Sequence, residues 1–276
     1  MSYVDANGAK IPALGFGTFG MKSGETLRML PTALRSGFRH IDTAQVYGNE
    51  AEVGASIVRA GLNRADVFVT TKVWVANYPA RRFMTALDES LRRLRSSYVD
   101  LLLLHWPNDD VPLADQLGSL AAAVSAGKVR HVGVSNFNAR LLDEAIRLSP
   151  LPLVTNQVEY HPYLRQATLL AQTRRANMAL TAYCAMAVGR VFGDPTLIEI
   201  AARHHKTVAQ IVLRWLVQQD GVVALSRTTN EQRVAHNAAI FDFALPAEDM
   251  NAIAALARPH SRIVSPPGLA PDWDSH

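Results

Sequence analysis

The sequence predicts an α/β protein built as a single (β/α)8 TIM barrel, and three features predict it. Eight short runs rich in apolar and β-branched residues recur at intervals of roughly 25 to 35 residues, as repeated strand–helix units require. The segments between them carry apolar residues at helical spacing. No Pro-, Ser- or Gly-rich linker divides the 276-residue chain, so the units belong to one closed body rather than to an open sheet with a second domain.

In order, residues 1–12 contain Asn7-Gly8, a two-residue turn signal, and predict a hairpin ahead of the barrel. Strands are predicted at Leu14–Thr18, Phe38–Asp42, Val67–Lys72, Val99–His105, Val132–Ser135, Val154–Glu159, Ala179–Cys184 and Val222–Ser226. Pro79–Leu94 reads as a helix, with Leu87, Leu91 and Leu94 on one face. Leu197–Gln218 reads as another, with Ile200, Val208, Ile211, Val212 and Trp215 in phase. Gly37, Gly127 and Gly221 stand near helix ends, where glycine takes left-handed backbone at little cost. Residues 259–276, with Pro259, Pro266, Pro267 and Pro271, predict an irregular tail, and residues 1–276 together are expected to form one domain.

Composition excludes several classes. With 49% apolar, 19% charged and 7% aromatic residues, the chain is neither disordered, collagen-like nor a coiled coil. Its 28 Lys+Arg exceed 24 Asp+Glu by a formal +4, but the excess is dispersed. Arg81, Arg82, Arg92, Arg93 and Arg95 lie with Asp88 and Glu89 in one helical stretch, and Arg174 and Arg175 form only a pair. No basic segment is interleaved with aromatics, so nucleic acid is not the expected partner. A small anion, which two or three cations can hold, remains compatible. Cys184 is the single cysteine. It offers neither an intramolecular disulfide nor a zinc cluster, so no metal and a reducing compartment are expected. The start MSYVDANGAK lacks the basic and apolar regions of a signal peptide, and no apolar run reaches the ~18 residues of a membrane span. A cytoplasmic protein without membrane contact is the expectation.

One motif points elsewhere. Gly15-Phe16-Gly17-Thr18-Phe19-Gly20 matches G-x-G-x-x-G, follows a predicted strand, and precedes Asp42 at the end of the next one. An open-sheet, NAD-dependent dehydrogenase is therefore an alternative. Its phosphate site needs a helix opening within the glycines. Here residues 21–24 intervene before the helical pattern, which favours a first βα loop of a barrel.

In a barrel, the carboxyl ends of all strands converge on one mouth. The predicted ends are polar: Asp42 followed by Tyr47, Lys72 then Trp74, His105-Trp106, Ser135-Asn136, Asn156-Gln157, Tyr183, and Arg227-Thr228. Each alone has a structural explanation, such as a helix cap for Asp42 or a core histidine for His105. Together they permit a specific chemistry. An ammonium close to a phenol favours phenolate, so Lys72 would ease proton release from Tyr47. Asp42 would hold and balance Lys72, and His105 would orient a carbonyl oxygen by a hydrogen bond. Such a set suits a reaction that builds negative charge on oxygen and needs one proton, as reduction of an aldehyde or ketone does, with hydride supplied separately.

These residues resemble the aldo-keto reductases, in particular bacterial-type members acting on 2,5-diketogluconate and methylglyoxal, over nearly the whole chain. The stretch GFRHIDTAQVYGNE at 37–50 carries the most specific likeness, and TKVW at 71–74, LLLHWP at 102–107 and GVSNF at 133–137 follow in family order. The resemblance implies a monomeric barrel reductase that uses NADPH on small carbonyl substrates such as dicarbonyls, sugar-derived ketones or keto acids. Tyr47 would be the proton donor, tuned by Asp42 and Lys72, with His105 positioning substrate. Gly17 and Thr18 would approach the nicotinamide, Ser135, Asn136 and Gln157 would bind its carboxamide, and Tyr183 would stack on its ring. Phe19, Trp74 and Trp106 would wall the substrate pocket. Arg227, Thr228, Arg233 and Asn237 align with the adenine end, where the family usually has Lys in place of Arg227 and an acid in place of His236. These departures leave NADH open beside NADPH. Cys184-Ala185-Met186 replaces the usual Ser-Pro-Leu, so the loop 187–195 over the pyrophosphate is expected to close differently. The tail 259–276 would cover the substrate site, its Arg262 meeting either a substrate carboxylate or Asp272, with Trp273 nearby. A barrel that binds NADP without catalysis is the other alternative.

Overall fold

The computed structural model describes residues 2–274. The chain forms β1 (Tyr3–Ala6), β2 (Ala9–Pro12), β3 (Leu14–Gly17), α1 (Ser23–Arg35), β4 (His40–Asp42), α2 (Glu50–Arg59), β5 (Phe68–Val73), α3 (Ala80–Leu94), β6 (Val99–Leu104) and α4 (Leu113–Ser125). It continues through β7 (Val129–Ser135), α5 (Ala139–Leu148), β8 (Leu153–Glu159), α6 (Ala167–Arg175), β9 (Ala179–Tyr183), α7 (Pro195–Arg203), α8 (Val208–Val217), β10 (Val222–Ser226), α9 (Glu231–Ala238) and α10 (Ala247–Ala254). Strands β3 to β10 close into an all-parallel barrel, β10 pairing with both β3 and β9. Parallel strands are covered on both faces, which is why β6, with four successive leucines, is buried throughout.

The N-terminal hairpin is present, with Asn7 (φ 43°) and Gly8 (φ 86°) both left-handed, as a two-residue primed turn demands. Asn7 Nδ2 donates to Leu153 O (2.7 Å) and Ala176 O (3.0 Å). That lays the hairpin across the amino end of the barrel, where Ala6, Ala9 and Ile11 pack on Leu101, Leu103, Val154, Ala179 and Val223. One end of the barrel is thus plugged by apolar side chains, and the polar strand ends occupy the other.

One expectation needs correction. The predicted helix Leu197–Gln218 is two helices, α7 and α8. His205 turns left-handed (φ 52°), and Thr207 and Gln210 form a reciprocal capping box that starts α8 afresh. The apolar period continued across the break and hid it. The glycine motif is a first βα loop of the barrel, as the residues between it and the helix indicate: Gly15 and Gly17 lie inside β3, and α1 begins only at Ser23. Gly15 is glycine for packing. A Cβ there would stand 2.8 Å from His40 Nδ1 and 2.7 Å from Leu225 Cδ2, and the buried His40 ring is fixed against Phe68 with Nε2 3.0 Å from Thr70 Oγ1.

Candidate active site

Asp42 ends β4, Lys72 lies near the end of β5, and His105 follows β6 directly. Lys72 is completely buried. Its three donors point to Asp42 Oδ1 (2.6 Å), Thr43 O (2.9 Å) and Tyr47 Oη (3.3 Å), so the ammonium is fully engaged. The other Asp42 oxygen accepts from Gln157 Nε2 (2.8 Å). Tyr47 ends a single 3₁₀ turn, Gln45–Tyr47, stopped by left-handed Gly48. The His105 ring meets the Tyr47 ring edge-on at 5.6 Å and the Trp74 ring at 5.4 Å. Asp42, Tyr47, Lys72 and His105 therefore converge.

Two residues that the strand-end rule missed brace this set. Gln45 accepts from Trp74 N (2.9 Å) and Asn77 Nδ2 (2.9 Å) and donates to Ala86 O (3.2 Å) and Ser90 Oγ (3.1 Å), fixing the turn that presents Tyr47. Buried Asn49 donates to Thr18 O (2.9 Å) and Met21 O (3.2 Å) and accepts from Thr43 Oγ1 (2.9 Å), tying the loop after β3 to the loop after β4. Both are amides in loops, where no periodicity marks them.

The electrostatics correct one expectation. Burial, with the Asp42 charge second, raises the Tyr47 phenol well above its usual value. Lys72 does not make it acidic in the resting protein, because Asp42 offsets the ammonium while burial disfavours phenolate. Lys72 is itself lowered by burial against the opposing pull of Asp42. Burial, then the Lys72 charge, pushes His105 down to about 2. The mouth thus presents a protonated phenol and a neutral imidazole. Among the described residues His105 Nδ1 is sealed without a partner, which leaves Nε2 as the nitrogen available to a substrate.

The residues expected around a nicotinamide are also assembled. Asn136, left-handed at φ 65°, accepts from Tyr183 Oη (2.7 Å) and donates to His105 O (2.9 Å) and Ser135 Oγ (3.1 Å). Ser135 Oγ and Asn136 N donate to Gln157 O at 2.8 and 2.9 Å. Thr18 N and Oγ1 both donate to Asp42 O at 3.0 Å. Gly17 keeps this flank open, since a Cβ there would meet nothing closer than Leu225 Cβ and Ser226 O, both at 3.9 Å. A half-buried ring held by its hydroxyl, flanking amides and a wall without a side chain fit a flat nicotinamide.

At the other end, Arg227 and Arg233 are exposed, and Arg227 reaches towards the loop after β3, its Nη2 3.4 Å from where a Gly20 Cβ would lie. Thr228 accepts from Asn230 N (3.1 Å) ahead of α9. Asn237 differs from expectation: it is buried and turned inward, donating to Ser226 Oγ (3.0 Å). His236 is exposed on α9. Between the ends, the loop from 187 to 193 carries left-handed Ala187, Val188 and Gly189, with Val188 76% exposed.

Phe19 stands out at 66% exposure with its ring edge-on to Tyr47 at 5.1 Å. Trp74 is half-buried, and Trp106 is buried and 6.4 Å from Trp273 between ring centres. Arg262 does not pair with Asp272. Its guanidinium lies over the Trp273 ring at 3.6 Å, with Nη1 4.0 Å from Glu159 Oε2. Glu159, overlooked as a site residue although it ends a predicted strand, is fully buried. Burial opposes its ionisation, but hydrogen bonds from His161 and from the Val264 and Ile263 N–H groups outweigh it and hold the carboxyl below its usual range.

Comparison with known proteins gives this geometry a lineage. The model of the "Aldo/keto reductase family" matches residues 13–258. Methylglyoxal reductase DkgB of Escherichia coli O157:H7 is 39% identical over 267 residues, covering 96% of this chain and 99% of that protein. A solved structure provisionally named 2,5-diketo-D-gluconic acid reductase B is 60% identical with a TM-score of 0.98, covering 100% of this chain and 98% of the other. A Bombyx mori aldo-keto reductase solved in complex with NADP is 32% identical with a TM-score of 0.87, over 92% of each chain. A family that acts on small carbonyl compounds with a nicotinamide cofactor accounts for the polar mouth, and the chain belongs to it: it is an oxidoreductase of the aldo/keto reductase family.

Proposed function

We propose that the protein reduces small aldehydes and ketones, dicarbonyls foremost, to alcohols with NADPH. The observation that carries this is the buried chain of hydrogen bonds from Gln157 through Asp42 and Lys72 to the Tyr47 hydroxyl, with His105 against the same phenol. A nicotinamide cofactor held beside Tyr183 would supply the hydride. The chain's residues manage the oxygen: His105 Nε2 donates to the substrate carbonyl, and Tyr47 Oη passes its proton to that oxygen as negative charge builds there. Lys72 stabilises the phenolate left behind, and Asp42 keeps the ammonium charged and in place. Ser135, Asn136 and Gln157 would hold the carboxamide, Gly17 and Thr18 would line its approach, and Phe19, Trp74 and Trp106 would wall the substrate pocket. As the family resemblance implies, the enzyme would act as a monomer in the cytoplasm.

NADPH preference rests on Arg227 and Arg233, whose exposed guanidiniums suit a 2′-phosphate. Thr228 flanks that site, whereas Asn237 braces the end of β10 from within through Ser226 Oγ. With methylglyoxal as substrate, kcat/KM for NADPH should exceed that for NADH by about tenfold or more, one charge-assisted contact being worth ~1.5 to 3 kcal/mol. Arg227→Ala and Arg233→Ala should each erode the ratio. Equal kcat/KM for the two cofactors in the unaltered enzyme contradicts the preference.

A further inference from the structure

Glu159 ends β8 two residues beyond Gln157 and pairs in register with Tyr183 of β9. It is fully buried, yet the proposed reaction does not use it. Its partners come largely from far along the chain. Oε1 accepts from Ile263 N (2.8 Å) and His161 Nε2 (2.8 Å), and Oε2 accepts from Val264 N (2.7 Å). The segment so gripped has a second fastening at α5, where Asn138 Nδ2 donates to Asp272 O (2.7 Å) and the Asp274 carboxylate accepts from Ala139 N (3.0 Å). Between the two, Trp273 lies beneath the Arg262 guanidinium, donates Nε1 to Ser265 Oγ (3.1 Å) and meets Trp106, the neighbour of His105.

Residues 259–274 contain no helix or strand, so no ladder of backbone hydrogen bonds selects their conformation. A buried carboxylate does, because it is stable only while its lone pairs are engaged. Arg262 depends on the same group. Among the described residues its Nη1 is buried without a hydrogen-bond partner, and the Glu159 charge and the Trp273 ring hold it.

We propose that Glu159 is a positioning residue for substrate: its carboxylate sets residues 259–274 as a wall of the pocket, so that Trp273 and Arg262 meet the part of the substrate remote from the carbonyl. Its kinetic readout rests on the carbonyl-reductase reading, whereas its structural readout does not.

Glu159→Gln keeps the shape but turns an N–H₂ towards groups that themselves donate. For a bulky aromatic aldehyde, KM should rise by about tenfold, with kcat changed by less than about threefold, because uniform binding is lost while the reacting centre is intact. For methylglyoxal, too small to reach the tail, KM should move by less than about threefold. In a Trp273→Ala background the same substitution should add under about twofold, since residues acting as a unit are non-additive. Amide exchange across 259–274 should quicken while the barrel strands keep their protection. Val264→Pro removes one donor from the tail side and should reproduce the KM rise, which covers a Glu159→Gln variant that fails to fold. Additive effects of Glu159→Gln and Trp273→Ala, equal KM changes for large and small substrates, or unchanged tail exchange would each overturn the proposal. Absent turnover in the unaltered enzyme, with tail exchange quickened in Glu159→Gln, would instead count against the reductase reading alone.

Discussion

Tyr47→Phe is expected to lower kcat for carbonyl reduction by about 10²- to 10⁴-fold, the range over which a positioned general acid acts, while Kd for NADPH stays within about twofold. The substitution removes one oxygen from a ring that keeps its edge contacts with Phe19 and His105, so cofactor contacts are left alone and the transition state loses its proton source. The loss should appear in kcat and kcat/KM alike. The unaltered enzyme makes a related point through pH. Burial holds the Tyr47 phenol well above its usual range and pushes His105 down to about 2, so neither changes charge near neutrality and the reduction profile should carry no limb at the ordinary histidine value. Stopped-flow turnover with fluorescence-monitored NADPH titration checks both. A Phe variant with most of its activity would remove Tyr47 from the chemistry.

Lys72→Met is the second large effect, because it strikes stability and turnover together. The ammonium is completely buried and 2.6 Å from the Asp42 carboxylate. Removing it strands a buried charge, which costs about 3 to 5 kcal/mol. Denaturant unfolding should therefore show a clear fall in midpoint. Replacing both partners, Asp42→Asn with Lys72→Met, should recover much of that stability, since the stranded charge is what destabilises. Turnover should not recover, because the phenolate formed as Tyr47 gives up its proton has lost its cation. A double variant that regained activity would show that the pair is structural. The same burial speaks against a barrel that binds cofactor without catalysis, since such a protein has no use for an ammonium enclosed beside a phenol.

What the chain reveals before folding divides along physical lines. Strands buried on both faces read as apolar runs, so the barrel and the positions of Asp42, Lys72 and His105 follow from residue type alone. Tyr47 is legible only through its distance past Asp42, since nothing in composition requires the 3₁₀ turn that Gln45 braces. The break between α7 and α8 escapes because apolar spacing survives it, and only the Thr207–Gln210 box records it. Sequence proximity offers Arg262 the near neighbour Asp272, whereas it faces Glu159 more than a hundred residues away, as does the backbone of Ile263 and Val264. Such contacts exist only once the barrel has closed. The Tyr47 acidity failed for a different reason. Sequence places an ammonium beside a phenol but does not weigh the burial that opposes phenolate.

The central claim is that the mouth of the barrel carries out carbonyl reduction. The direct measurement is NADPH oxidation by the purified, unaltered protein across a panel of aldehydes, α-dicarbonyls, sugars and keto acids, with the alcohol product identified. The geometry predicts oxidation matched one for one by alcohol, strongest among the small dicarbonyls. Tight NADPH binding with no oxidation by any member of the panel would contradict it.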